Sequence, residues 1–131
     1  MAQQEIELIL IRQWASYLTL PVFLADGEGN LLFYNEPAEV ILGRRYDEAG
    51  PMHVSELVDL FEAIAEDGSP IPHSELPISG ALREHRPMHK RLRMRALDGA
   101  WHTIEITAFP VEGQNERHLG VVGLFWEARR G

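Results

Sequence analysis

The run Leu119-Gly-Val-Val-Gly-Leu-Phe-Trp126 is apolar at both of its alternating sets of positions. Successive side chains of an extended strand point to opposite faces. Val121, Gly123 and Phe125 therefore share one face, and Val122, Leu124 and Trp126 share the other. A strand apolar on both faces belongs in the middle of a sheet that is covered on both sides. At 131 residues the chain has room for one domain with a genuine core and for no second one. Its remaining segments must supply both covers.

The neighbouring strands are written in a plainer period-2 code. Leu92, Met94 and Ala96 alternate with Arg91, Arg93 and Arg95, and Ile104, Ile106 and Ala108 alternate with Thr103, Glu105 and Thr107. A three-residue loop of Leu97, Asp98 and left-handed Gly99 pairs Leu92 with Ile104 and Ala96 with Ala100. It also sets Arg91 across from Glu105 and Arg95 across from Trp101. A two-residue Asp-Gly turn would face Leu92 with Glu105 and bury a carboxylate, so that register is rejected. Nearer the N-terminus, Val22-Phe-Leu-Ala25 and Leu31-Leu-Phe-Tyr34 form a first hairpin around the turn Asp26-Gly-Glu-Gly-Asn30.

Residues 3–18 read as a helix with two apolar stripes. Ile6, Leu10, Trp14 and Tyr17 form one; Leu8, Ile11, Ala15 and Leu18 form the other. Each aliphatic side chain left wet forgoes ~1.5–3 kcal/mol of burial, so one stripe is expected on the domain and the other on a second copy. Asn35 caps a short helix running to about Leu42, with Pro37 in its first turn and Gly43 past its end. Ser55 is the expected cap of a helix carrying Leu57, Leu60, Phe61 and Ile64, stopped by Asp67-Gly68. Ser74 is the expected cap of another, with Ile78, Ala81 and Leu82 facing in and Pro87 closing it. The expected architecture is α+β: a five-stranded antiparallel sheet with helices on one face and the N-terminal helix on the other. Residues 1–20 form the N-terminal helical segment and residues 21–128 the domain proper.

Charge and composition narrow the functions. A formal charge of −8 counts against a nucleic-acid partner, whose phosphates would repel it. The charge is uneven: residues 1–82 hold 3 Arg and 14 acids, whereas residues 83–95 hold 6 Lys or Arg and 1 acid. Those cations read as solvated edge-strand charges that pair with Glu105 and discourage edge-to-edge association. A surface for an anionic ligand or acidic partner is the alternative. The absence of cysteine removes disulfides, thiolate chemistry and iron–sulfur clusters, and is compatible with the expected cytoplasmic address. The N-terminus lacks the pattern of a signal peptide, and Glu7, Arg12 and Gln13 interrupt its apolar stretch, so no membrane association is expected.

Little in the chain carries catalytic chemistry. His85 and His89 have an H-x-x-x-H spacing, but Pro87 breaks the helix that would align them and no further ligands are spaced nearby, so no metal is expected. His85 reads as a polar histidine at a helix end, where its charge suits the dipole. Ser55, Ser74 and Ser79 lie on presumed caps or turns, with no strand–turn–helix elbow to expose a nucleophile. Gly27-Glu-Gly29 joins two strands and carries an acid where a phosphate would sit. What remains is a pocket between the inner sheet face and the helix at 75–86. Its lining residues are Leu92, Met94, Ile104, Ile106, Val121, Gly123 and Phe125 from strands, with Ile78 and Leu82 from the helix. Gly123 in mid-strand either makes room for a small ligand or accommodates a large neighbour.

These features resemble a PAS (Per-Arnt-Sim) domain over residues 21–127. The resemblance is carried by Asp26-x-x-Gly29, Asn35, Ala38 and Gly43, then Asp67-Gly68, Pro70-Ile-Pro72 and Glu75-Leu-Pro77. Ala81-Leu-Arg-Glu, Arg86-Pro87, Asp98-Gly99, Pro110 and Gly120 complete it. It implies a sensory and dimerisation module without catalysis, with a preceding helix that pairs in the dimer. The light-oxygen-voltage branch needs a cysteine beside its flavin, and this chain has none. Haem-type members use a histidine on the helix before the long hairpin, where His85 lies, with His73 just ahead of it.

The expectation is thus a homodimeric, non-catalytic sensor, cytoplasmic, holding a small apolar ligand if any, with no haem or flavin required. Its dimer surface is expected at Ile6, Leu10, Trp14, Val122, Leu124 and Trp126, and its output is expected to come from a partner protein or from a portion absent here. Two other readings stay open: a small cone-shaped α+β enzyme of the ketosteroid-isomerase type, and a ligand-free interaction adaptor.

Overall fold

The computed structural model describes residues 6–43, 45, 52–113 and 117–128. Helix α1 (Ile6–Ala15) leads into β1 (Val22–Asp26) and β2 (Leu31–Tyr34). Helices α2 (Glu36–Leu42) and α3 (Val54–Leu60), a 3₁₀ turn (His73–Glu75) and α4 (Pro77–Glu84) follow. Strands β3 (Met88–Arg95), β4 (Trp101–Glu112) and β5 (His118–Glu127) close the chain.

The five strands form one antiparallel sheet in the order β2-β1-β5-β4-β3. The strand that is apolar on both faces, β5, occupies its centre. Phe125 and Val121 face the helices α2–α4, while Val122 lies under α1 in a second buried cluster. The long hairpin takes the expected register, with Leu92 opposite Ile104, Arg91 opposite Glu105 and Arg95 opposite Trp101. The Ala96 N–H donates to the Ala100 carbonyl at 2.8 Å, and Gly99 takes φ +90° at the turn.

Asn35 caps α2 as expected, accepting from the Ala38 N–H, and left-handed Gly43 ends that helix. Two other caps differ from expectation. His53, rather than Ser55, caps α3: its Nδ1 accepts from the Ser55 N–H at 3.1 Å. Its Nε2–H donates to the Glu28 carbonyl at 2.8 Å, which ties the first hairpin turn to α3. Ser74 sits in the 3₁₀ turn, and α4 opens on Pro77 with no side-chain cap. A proline at the first helical position lacks one of the N–H groups a cap would serve.

The α3 helix is also shorter than its apolar spacing implied. It ends at Leu60, itself exposed, and Glu62 takes φ +47°. Ile64 is used elsewhere: its N–H and carbonyl pair with Arg93 at 2.8 and 2.9 Å, and the Arg95 N–H donates to the Phe61 carbonyl. The segment after α3 thereby covers part of the outer edge of β3. The arginines follow it. Arg91 pairs with Glu66 at 3.3 Å and Arg95 with Glu62 at 3.4 Å, while Arg93 stacks over Trp101. Glu105, the expected partner of the cations, instead faces His89 at 3.3 Å. Register placed Arg91 opposite Glu105, but the edge contact brought two other carboxylates within reach. Such exposed pairs are worth ~0–1 kcal/mol each.

Helix α1 lies on the face of the sheet away from α2–α4. Leu8 and Ala15 are buried with Val22, Leu24, Val111, Leu119 and Val122, and Ile11 and Leu18 are half-buried beside them. The stripe containing Ile6, Leu10, Trp14 and Tyr17 faces outward, with Tyr17 81% and Ile6 67% exposed.

Candidate functional site

Between the helical layer and the inner sheet face lies a partly open cavity of about 70 Å³. Its sheet wall consists of Phe23 on β1, Leu92 and Met94 on β3, Ile104 and Ile106 on β4, and Phe125 on β5. Its helical wall consists of Leu42, Leu57, Phe61, Ala63, Leu76, Pro77 and Ile78. Period-2 alternation places the sheet residues: each belongs to the inward set of its strand. The rings of Phe23 and Phe125 meet at a centroid distance of 6.0 Å and a tilt of 44°.

No lining side chain carries an acid, a base, a nucleophile or a hydrogen-bonding group. The cavity is several times the ~10–15 Å³ that one water needs, and far below the ~300–1,000 Å³ of pockets for drug-sized ligands. Apolar walls give a water no partners, so the space suits a small apolar molecule.

Six of the nine residues expected to line the pocket do so: Ile78, Leu92, Met94, Ile104, Ile106 and Phe125. Leu82 packs against the core from one side without reaching the cavity, and Val121 is fully buried beside it. Gly123 does not open space for a ligand. The Phe23 ring fills the position that a Cβ at 123 would take, so this glycine accommodates a large neighbour. Phe23 escaped the sequence reading because all four residues of its strand segment are apolar, although the alternate set Phe23 and Ala25 was available as a signal.

The histidines point elsewhere. His85 ends α4 in the left-handed conformation, exposed, with its ring stacked on His118 at 3.6 Å between centroids. His73 is bound to Asp59 at 2.8 Å, and His89 meets Thr107 at 2.7 Å. None of the three lines the cavity, and the H-x-x-x-H pair is split between a helix end and the outer sheet face. Among the described residues no three acids or histidines are grouped to hold a metal ion. Among the same residues no helix is long and apolar enough to cross a membrane. The Glu84 carboxyl, beside Arg86 and Arg83, is held below the usual glutamate range.

The residues expected at a dimer surface separate into two groups. Ile6, Leu10 and Trp14 are exposed on α1. Val122, in contrast, is 1% exposed beneath α1 of the same chain and belongs to the packing under the helix. Leu124 and Trp126, further along β5, are half-buried.

No family model and no curated protein matches the sequence. Solved structures do match its shape. A PAS domain from Colwellia psychrerythraea is similar with a TM-score of 0.68 and 20% identity, covering 92% of this chain and 97% of that one. The Rhodobacter sphaeroides LOV protein is similar with a TM-score of 0.72 and 16% identity, covering 96% and 70%. The PAS domain of nitrogen regulation protein NR(II) from Vibrio parahaemolyticus is similar with a TM-score of 0.65 and 15% identity, covering 91% and 98%. Sheet order, helical layer and chain coverage agree: this protein has a PAS-like fold.

Proposed function

We propose that the protein is a non-catalytic sensory module that holds a small apolar ligand in its core and homodimerises through α1. The observation that carries this reading is the cavity between helices and sheet with a wholly apolar lining. A pocket without acid, base or nucleophile supports binding rather than turnover. An enzyme of the ketosteroid-isomerase type would need an inward carboxylate or histidine and long helices ahead of its sheet. Here a strand hairpin follows directly on α1, and no lining residue ionises. The nitrogen regulation protein among the similar structures supports a signalling role.

The second element is α1. Ile6, Leu10, Trp14 and Tyr17 leave a contiguous apolar stripe on the side turned from the sheet. A second copy of the same stripe would cover it by two-fold self-complementarity. One rival reading has an observation of its own. The small cavity volume also fits a ligand-free adaptor, whose core merely packs imperfectly.

Xenon, which enters apolar cavities, separates the sensor from the adaptor. Under xenon pressure the methyl signals of Leu92, Ile104 and Ile106 shift saturably if the space is a binding cavity; unmoved signals leave the adaptor. Sedimentation of the full chain at tens of micromolar tests the dimer. A dimer that dissociates in the Leu10→Lys, Trp14→Glu variant supports it, and a wild-type monomer ends it.

A further inference from the structure

One side chain joins the cavity wall to α1. Asn35 is 1% exposed, and it is the only polar residue among the fully buried ones described. Its carboxamide uses all four of its hydrogen-bonding positions. On one side Oδ1 accepts from the Val22 N–H at 2.9 Å and from the Ala38 N–H at 3.2 Å. On the other side Nδ2 donates to the Ala15 carbonyl at 3.0 Å and to the Leu20 carbonyl at 2.8 Å. The first pair belongs to elements that carry the cavity wall, since Phe23 follows Val22 on β1 and Leu42 ends the helix whose first turn contains Ala38. The second pair belongs to the end of α1 and the segment that leaves it.

We propose that Asn35 is a latch that couples the state of the cavity to the docking of α1. The chemistry behind it is a difference in kind between the two halves of one amide. The acceptor half caps a helix, a task that other short side chains perform. The donor half holds two carbonyls, those of residues 15 and 20, the first of which also accepts from the Leu18 N–H at 3.2 Å. Because the amide is planar and rigid, a shift of β1 or α2 turns both halves together. Pushing out Phe23 or Leu42 therefore weakens the bonds to α1, and the one to the Ala15 carbonyl is buried where water does not replace it. The latch deepens the proposed function by naming the route from pocket to helix. It rests on that reading only for what naturally fills the cavity.

The test uses the full chain and no ligand, so it stands apart from whether the pocket binds one. Hydrogen exchange is followed by mass spectrometry over residues 6–18, with 104–108 and 121–125 as internal controls. In Asn35→Ser, whose hydroxyl can still serve the Ala38 N–H but cannot reach both carbonyls, exchange over 6–18 is expected to rise at least tenfold while the controls hold. Ala63→Leu adds bulk inside the cavity and is expected to raise exchange over 6–18 severalfold. In the Asn35→Ser, Ala63→Leu double variant it should add nothing more. Unchanged α1 exchange in either single variant, or an Ala63→Leu effect that survives in the double, overturns the latch. If Asn35→Ser loses protection throughout, the side-chain amide protons of Asn35 decide the question with that residue intact. They exchange faster in Ala63→Leu than in wild type if the latch is real, and equally fast if it is not.

Discussion

The Phe23 ring lies directly over the Cα of Gly123, its cross-strand partner on β5, in the space where any other residue would carry its Cβ. The aromatic wall of the cavity therefore depends on a hydrogen atom at position 123. Gly123→Ala is expected to destabilise the protein by about 3 kcal/mol, the upper end of overpacking costs. Adding Phe23→Leu should recover at least ~1 kcal/mol of that loss, because the two residues share one space. Urea denaturation of the two single variants and the double variant measures both. An unchanged midpoint for Gly123→Ala would contradict the contact.

Gly29 and Gly68 take nearly the same backbone conformation, φ +87° and +90°, yet alanine should not cost the same at each. At Gly68 a Cβ meets nothing, so the left-handed strain of roughly 1–2 kcal/mol is the whole penalty. At Gly29 it would come within 2.6 Å of His53 Nε2, the atom that holds the Glu28 carbonyl. Gly29→Ala must therefore displace the imidazole that caps α3. It is expected to cost ~1 kcal/mol more than Gly68→Ala, as a further lost hydrogen bond. Equal thermal shifts for the two variants would show that the His53 clamp contributes nothing.

Removing one ring should turn the small cavity into one of benzene size. Phe125→Ala is expected to lose ~3–5 kcal/mol of stability. Benzene at a hundredfold excess over its dissociation constant should return ~2.7 kcal/mol to that variant. The same benzene should do little for wild type, whose cavity is about 70 Å³. Calorimetric scans with and without benzene test this, and absence of rescue would mean the site collapses instead of staying open.

The strands were readable because alternation writes the facing of every residue into the chain. Leu92, Met94, Ile104 and Ile106 reach the cavity by that rule alone. The helical wall was harder. Leu57, Phe61 and Leu76 line it because of how short helices dock, which a seven-residue apolar pattern does not determine. The end of α3 shows the limit most plainly. Ile64 continues the helical spacing, but backbone pairing with Arg93, far along the chain, outweighs one more helical turn. Asn35 was readable as a cap, whereas its bonds to Ala15 and Leu20 arise only once α1 folds back across the sheet. His53 was hidden by Ser55, a common capping residue placed two positions late.

The turn between Ile64 and Pro70 carries a titration marker. The Ser69 hydroxyl donates to Asp67 at 2.6 Å and the Ser69 N–H donates at 2.9 Å; together they hold the Asp67 carboxyl below the usual aspartate value, with the hydroxyl bond the larger cause. A carboxyl whose folded-state pKa is depressed adds stability above its unfolded pKa, and that contribution fades as pH falls through the folded value. Ser69→Ala removes the hydroxyl and leaves the backbone donor. The Asp67 carboxyl signal, followed by NMR between pH 6 and 2 (roughly the range of carboxylate titration), should then titrate at higher pH than in wild type. Because the same turn holds the Ile64–Arg93 pairing, the protection factor of the Arg93 amide, its exchange relative to the intrinsic rate at each pH, should fall as pH is lowered over that range in both proteins, starting at higher pH in Ser69→Ala. Identical titration curves in the two proteins would assign the depression to something other than the hydroxyl.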